Sequence, residues 1–565
     1  MKIFYHGQGA WNSSEPAGLP FEPNLLALQG NNWDDYGTKT TLIASLYFEG
    51  KRLDFDFHIK VLIEGSNYTA DTLNQLKASG SWDGFFPIPN CYYVSMPSDI
   101  EFYSILESKL GLENAKKFLL QLNDAGLLKN IINDESFSKL LNSQEFANSI
   151  LRESGATKSY EDGWRIFDGS TVEIHNFELN LLTRDKRVKK VPFKFTSPLL
   201  PYEINVLIGP NGIGKSYSIK SLVEYWLKTG IGDLKTLEKL GHQPFDKTPN
   251  FRNLILVSYS PFEEFELDLN KYNLQDKHAY KYFGFRQERP DGSIGINRNL
   301  PAKHSALSVI KAIYDDTRLN FITRRVQKLP TINDALRHAF EFEHMALEIK
   351  APLKLGILSH NLTIINDKKY LILDSGIPTF VTEDILIEAS ELEKGVVFLK
   401  DKALCTLSSG QRLFMYIAIN VVGELKENSL VVIDEPELFL HPTLEVEFVS
   451  LLKTVLEPFK SKAILATHSL VVVREVPSKC IHIFRDEGYG LDVVSPPFET
   501  FGASVQKISS YVFGDKSVTK PFDDWLKGLV EKEPDVEKLI ESLGEEVNEQ
   551  LIMKILRLGR QRHGS

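Results

Sequence analysis

The chain has 565 residues, with 65 lysines and arginines against 75 aspartates and glutamates, and a formal net charge of −10 at pH 7. Its 42% hydrophobic and 11% aromatic content suffices for the cores of roughly two to four domains, and the acidic balance weighs against a protein that coats nucleic acid through bulk electrostatics. No apolar run approaches the roughly 20 residues of a membrane-spanning helix, and the first residues lack the basic start and long apolar stretch of a secretory signal, so the expectation is a soluble, cytoplasmic protein with no membrane partner.

Near the N-terminus, Leu53, Phe55, Phe57, Ile59, Val61 and Ile63 alternate with Asp54, Asp56, His58 and Lys60, the period of a half-buried strand. Residues 40–48 read as its hairpin partner across Glu49-Gly50-Lys51. Helical spacing follows over 99–110, 113–122 and 136–151, and no motif in this stretch carries chemistry. Residues 1–169 therefore read as a separate N-terminal α+β domain of unknown role. A new unit, 170–518, begins with two strands, 171–183 and 188–197, joined by a turn holding Arg184, Lys186, Arg187, Lys189 and Lys190. Phe177 on the first of these could stack on a base or serve as ordinary core.

The apolar strand 203–208 runs into Gly209-Pro210-Asn211-Gly212-Ile213-Gly214-Lys215-Ser216, which matches GxxxxGK[ST] and precedes a helical stretch over 217–227. The glycines let successive backbone N–H groups wrap phosphates, and the helix N-terminus adds its dipole. Lys215 is placed to reach the β- and γ-phosphates of ATP, and the Ser216 hydroxyl to ligate Mg²⁺. Residues 301–400 read as an inserted lid, helical over 301–350 and strand-like over 362–373 and 395–399, with a second basic pair at Arg324 and Arg325.

Leu407-Ser408-Ser409-Gly410-Gln411-Arg412 then opens a helical run to about Leu425. The apolar run Leu430-Val431-Val432-Ile433 ends in Asp434-Glu435, a geometry in which the first carboxylate binds the metal and the second faces the attacking water. Residues 463–469 form another strand, ending in His468. The tail, 519–565, is charged and helical, with apolar faces built from Trp525, Leu526, Leu529 and Val530, from Leu539, Ile540 and Leu543, and from Leu551, Ile552, Ile555 and Leu556, and with Arg557, Arg560 and Arg562 as a third basic cluster. Cys91, Cys405 and Cys480 form no CxxC pair, which fits a reducing compartment and argues against a structural zinc site.

Leu407 to Arg412 resembles the signature motif of ABC-class ATPases. With the P-loop and Asp434-Glu435 it implies an α/β fold: a P-loop ABC-ATPase head with an antiparallel β subdomain and a helical lid. The continuation Pro436-Glu437-Leu438-Phe439-Leu440-His441-Pro442 is similar to the SMC, RecF and overcoming-lysogenization-defect (OLD) ATPases rather than to transporters. The resemblance implies that Glu435 is the general base and that His468 contacts the γ-phosphate. It further implies that Ser408, Ser409, Gly410 and Gln411 contact ATP held by a second head, so that ATP joins two heads. His441 could then sit at the dimer seam or cap a helix. One departure stands out: the residues after the strand 254–258 are Tyr259-Ser260-Pro261-Phe262-Glu263-Glu264, without the Q-loop glutamine of typical ABC proteins, and Gln287 lies far along the chain.

Asp486-Glu487-Gly488 reads as a hairpin turn, and no Toprim or HNH-type triad is visible. The absence of an effector, with Thr500-Phe501-Gly502-Ala503 and Tyr511-Val512-Phe513-Gly514-Asp515, resembles PtuA, the ATPase of Septu antiphage systems and of some retrons. That resemblance implies a homodimer or higher oligomer that senses a trigger and restrains a separate effector, such as an HNH nuclease. The alternative is a RecF- or SMC-like DNA-repair or DNA-tethering ATPase that binds nucleic acid.

Overall fold

The computed structural model of the chain describes residues 1–8, 18–35, 37–272, 274, 276–322, 325–337, 339–350, 361–373, 382–486, 488, 490–513, 521–533, 535–544 and 547–563. Arg324, Glu487, Gly514 and Asp515 lie outside the described residues, as does the expected boundary at 518 and 519. The chain forms two compact units, Met1–Ala503 and Ser504–Ser565.

The first strands, β1 (Lys2–Gln8), β2 (Leu25–Gly30), β3 (Thr41–Phe48), β4 (Lys51–Ile63) and β5 (Tyr93–Pro97), make a five-stranded sheet in chain order. β1 and β2 are parallel and the other pairs antiparallel. The expected hairpin is β3–β4, and the odd-numbered residues Phe57, Ile59, Val61 and Ile63 face a core shared with Phe102, Tyr103, Ile105 and Leu106. The other face is covered as well. Lys60 is fully buried, pairs with Asp35 at 3.2 Å and donates to the Ser149 carbonyl at 2.7 Å, while Leu62 joins a second core with Val94, Phe146 and Ile150.

Two of the expected helices form as Glu101–Leu110 and Leu112–Gln121. The single helix expected over 136–151 does not. It is broken into Ser138–Leu141 and a π turn, Phe146–Ile150, because the Ser143 hydroxyl donates to the Leu140 carbonyl at 2.8 Å and accepts from the Phe146 N–H at 3.1 Å, ending one turn and starting the next.

A hairpin of β6 (Phe177–Leu182) and β7 (Val188–Phe193) precedes β8 (Ile204–Ile208), β9 (Leu254–Ser258) and β10 (Tyr280–Gly284). A short ribbon, β11 (Arg286–Glu288) with β12 (Ile294–Ile296), leads into the lid. The lid opens with helices Leu300–Arg318 and Lys328–Arg337. Its sheet holds β13 (His344–Ile349), β14 (Leu362–Ile365), β15 (Lys368–Leu373), β16 (Val396–Lys400) and β17 (Ala403–Leu404), antiparallel in the order β14-β15-β13-β16-β17. The helical expectation over 301–350 thus fails at its end. Residues 344–349 are claimed by two strand partners, β15 and β16, and pairing on both sides overrides a weak helical pattern.

The chain then forms the helix Ser409–Glu424, β18 (Leu430–Asp434), the helix Pro442–Leu456, β19 (Lys462–Thr467), β20 (Ile481–Asp486) and β21 (Leu491–Val494). The central sheet has the order β10-β9-β18-β19-β8-β20-β21, parallel except for the edge strand β21. β8, β9 and β18 are buried along their whole length, the state of parallel strands covered on both faces, which is why they read as continuous apolar runs. Leu254, Leu256, Leu430, Val432, Ile464 and Ala466 share one core with Ile219, Leu222 and Val223 of the helix Lys215–Trp226. Helix Ser409–Glu424 contributes nothing to that core and packs on Leu300–Arg318, Lys328–Arg337 and Pro442–Leu456.

In the second unit, the helices Pro521–Lys532, Val536–Leu543 and Glu549–His563 bury Leu526, Val530, Leu539 and Ile555 against one another. Most of the apolar surface expected for the tail is therefore spent within it, while Trp525 stays 50% exposed.

Candidate nucleotide-binding site

Parallel strands present their C-terminal ends at one edge of the sheet, and here those ends carry the expected chemistry. Thr467 stands opposite Ile208, and Asp434 stands between Ala466 and Ser258. The loop after Ile208 turns back against β20 so closely that a Cβ on Gly209 would fall 2.2 Å from the Phe484 carbonyl oxygen. Gly214, at φ +112°, takes the N-cap of helix Lys215–Trp226 and offers no side chain to its first N–H groups. The start of that helix is left open to an anion.

Four of the expected residues meet directly. Lys215 Nζ donates to the carbonyls of Gly209 and Pro210 at 3.1 and 3.2 Å and lies 2.8 Å from His468 Nε2. Burial pulls the Lys215 ammonium down, against the pull of Glu435 and Asp434. Burial, with the Lys215 charge adding, depresses His468 to about 4, so its imidazole is neutral near pH 7 and Nε2 accepts a hydrogen bond from the Lys215 ammonium. Ser216 Oγ donates to Asp434 Oδ1 at 3.1 Å. Burial raises the Asp434 carboxyl to about 7, and the neighbouring Glu435 charge adds to this against the Ser216 hydrogen bond. Pro210, Asn211 and Gly212 are exposed along the outer side of the loop, with Ile213 half-buried.

Glu435 follows in the left-handed region, φ 52° and ψ 54°, its N–H held by the Ala466 carbonyl at 2.8 Å. A glutamate there carries backbone strain of about 1–3 kcal/mol, a cost that concentrates at functional sites. Glu437 stands two residues further on, in the turn Pro436–Phe439. Its Oε1 accepts the His468 N–H at 2.5 Å and its Oε2 the Thr467 hydroxyl at 2.8 Å, so it fixes the loop that presents His468. Glu445 of helix Pro442–Leu456 accepts from the Ser469 hydroxyl and steadies the next residue of that loop. For Glu437 the sequence signal was a carboxylate soon after a strand end, and for Glu445 an acid in the first turn of a helix; neither by itself names a partner.

The signature stands elsewhere. Ser408 is the N-cap of helix Ser409–Glu424 in a reciprocal capping box: Gln411 N–H donates to Ser408 Oγ at 3.2 Å, and Ser408 N–H to Gln411 Oε1 at 3.0 Å. Ser408 and Ser409 are exposed and Gly410 is buried. His441 likewise caps helix Pro442–Leu456, its Nδ1 lying 3.0 Å from the Thr443 hydroxyl.

The structure decides between the two readings of Phe177 and shows how the basic hairpin is paired. Phe177 is 2% exposed and packed among Phe193, Phe195, Phe245 and Phe251, so it is core and offers no face to a base. The basic hairpin is largely neutralised: Lys190 pairs with Glu178 at 2.6 Å, Lys189 with Asp492 at 3.2 Å, and Arg187 with Asp185. Arg325 is paired with Glu101. Gln287 lies on β11, where its side-chain oxygen accepts from Asn297 at 2.9 Å. Asp486 ends β20 and accepts from the Gly488 N–H at 2.9 Å, the hairpin turn that was expected.

Residues 204–474, spanning the P-loop, signature, Asp434-Glu435 and His468, match the family model described as "AAA domain, putative AbiEii toxin, Type IV TA system". Over these residues the chain is similar to an AAA-type ATPase domain. The whole chain is similar to protein ea59 of Escherichia phage lambda, with 24% identity over 539 residues and 92% of each chain covered. A solved SMC head bound to the C-winged helix domain of ScpA aligns at 13% identity over 57% of this chain and 98% of its own, with a TM-score of 0.29. Among the described residues no helix is long and apolar enough to cross a membrane, and no group of three or more His, Cys, Asp or Glu side chains is disposed to hold a metal by itself. An ATPase needs no such group, because Mg²⁺ takes phosphate and water oxygens with one or two protein ligands.

Proposed function

We propose that the chain is an ABC-type ATPase that binds ATP between two copies and hydrolyses it. The observation that carries this is the meeting of Lys215, Ser216, Asp434 and His468 at one sheet edge, while Ser408 and Ser409 of the signature lie exposed at the start of a helix that adds nothing to the core around the P-loop helix. Ser216 and Asp434 would hold Mg²⁺, which supplies charge neutralisation for the phosphates. Lys215 exchanges its carbonyl partners for the β- and γ-phosphates. His468, neutral and held by Glu437, donates toward the γ-phosphate or orients the water, and Glu435 accepts the proton of that water. Ser409 and the Gly410 amide of a second copy close the site from outside.

We read the ATPase cycle as the sensor and scaffold of a separate effector, a nuclease of HNH type by resemblance, in antiphage defence. Support comes from the likeness to a phage-encoded protein along nearly the whole chain and from the toxin description of the matching family. A second reading, a DNA-repair or DNA-tethering ATPase, would lean on the basic hairpin, whose cations are mostly paired. DNA-stimulated turnover would favour that reading.

The test is mass measurement with ATP on Glu435→Gln. The expected result is an ATP-dependent doubling in mass that Lys215→Ala abolishes. Full turnover by Glu435→Gln would remove Glu435 as the base, and a monomer with bound ATP would remove the shared site.

A further inference from the structure

Ser258, the last residue of β9, is paired with Asp434 in the sheet. Five residues later the chain has folded back: Glu263 Oε1 accepts from Tyr282 Oη at 2.5 Å and lies 3.8 Å from an Arg286 guanidinium nitrogen. Tyr282 Oη also reaches the Ser258 carbonyl at 3.4 Å, which ties Glu263 to the strand end beside Asp434. That approach depends on Gly284, where a Cβ would fall 2.2 Å from the Ser258 oxygen and 2.0 Å from Tyr282 Oη.

The Glu263 side chain is 2% exposed, and its second oxygen, Oε2, has no hydrogen-bond partner among the described residues. A buried carboxylate oxygen left without a donor is costly and calls for a missing partner. Burial raises the Glu263 carboxyl, and the Glu435 charge adds to the rise. A donor or cation close by would offset that cost.

We propose that Glu263 is a positioning residue whose free Oε2 accepts a hydrogen bond from a water on the nucleotide-bound Mg²⁺, while Oε1 passes the state of the site through Tyr282 and Arg286 to the β11–β12 ribbon and the lid helix Leu300–Arg318. The contact runs through water, since the described carboxylates do not form a three-ligand metal group. Glu263 thereby links nucleotide to lid at the place in the chain where no glutamine stands. This inference rests on the ATPase reading above.

The experiment uses the full chain and Mn²⁺ as a paramagnetic probe. Mn²⁺ affinity of the protein–ATP complex is measured by electron paramagnetic resonance, and ATP affinity is measured separately without metal. Glu263→Gln, which preserves shape, and Glu263→Ala are each expected to weaken Mn²⁺ binding about ten-fold or more, the usual scale for losing an outer-sphere partner, with metal-free ATP affinity unchanged within about two-fold. Tyr282→Phe is expected to keep Mn²⁺ affinity but to lose the Mg·ATP-dependent protection of 286–296 from hydrogen exchange. Mn²⁺ affinity within about two-fold of wild type in both Glu263 variants, or an equal loss of metal-free ATP binding, would overturn the inference. If wild type binds no ATP, or Lys215→Ala binds it equally well, the ATPase reading itself fails.

Discussion

Glu437 offers a quantitative test of how the site holds His468. Its two carboxylate oxygens accept the backbone His468 N–H and the Thr467 hydroxyl. Glu437→Gln keeps the shape and one oxygen. The amide oxygen can retain the His468 N–H, and the Thr467 hydroxyl must find a new geometry, because it already accepts the Ser469 N–H at 2.9 Å. Losing the charge assistance of one bond costs about 1–1.5 kcal/mol, or roughly a 5- to 10-fold fall in kcat if the whole effect lands on the transition state. Glu437→Ala strands both donors. At about 1–3 kcal/mol for each buried donor, discounted for relaxation to about 3 kcal/mol in all, kcat falls roughly 100-fold. KM should stay within about three-fold, because Lys215 and the P-loop amides keep their places. Steady-state phosphate release over a range of ATP concentrations separates the two constants. A rise in KM with unchanged kcat would mean that Glu437 supports ground-state binding, and unchanged kinetics in the alanine variant would refute its role in positioning His468.

Three further outcomes follow from the same structure. A Ser409→Ala chain and a Lys215→Ala chain, each inactive alone, should regain about one competent composite site per mixed dimer, and no recovery after verified subunit exchange would argue against a site shared between copies. Asp124, buried beneath Tyr103, accepts from the Tyr103 hydroxyl at 2.6 Å and the Leu127 N–H at 2.9 Å, yet burial raises it to about 6. The folded state therefore holds its proton more tightly than the unfolded chain, and stability falls as pH rises from about 4 through about 6. The stability of Asp124→Asn relative to wild type should thus improve by up to about 3 kcal/mol between pH 4 and pH 8, and a pH-independent difference in urea denaturation would contradict this. Arg252 is 8% exposed and pairs with Asp99 at 2.5 Å and Glu101 at 3.5 Å, joining the N-terminal sheet domain to the start of β9. Arg252→Met should cost about 3 kcal/mol in urea unfolding, the low end for breaking a buried pair, since Lys426 still serves Asp99 at 3.3 Å; a loss below about 1 kcal/mol would show the pair to be solvent-screened.

What the sequence determined by itself was local. The P-loop, Asp434-Glu435 and the capped start at Ser408 are legible because backbone conformation and short-range spacing dictate those residues: glycines where the chain must turn tightly, carboxylates at a strand end, a serine and glutamine three apart at a helix start. The buried strands β8, β9 and β18 were legible for a related reason, since burial on both faces leaves continuous apolar runs.

What only the tertiary structure decided were the pairings between distant segments. Residues 344–349 became a strand because two partners flank them, and Phe177 became core because four other phenylalanines surround it. Glu437 acquired its task when β19 came alongside β18, and Glu263 when β10 came alongside β9. A lone glutamate in a sequence has no period and no fixed spacing to announce its partner; only the fold brings a donor within 3 Å of it or leaves one of its oxygens without any.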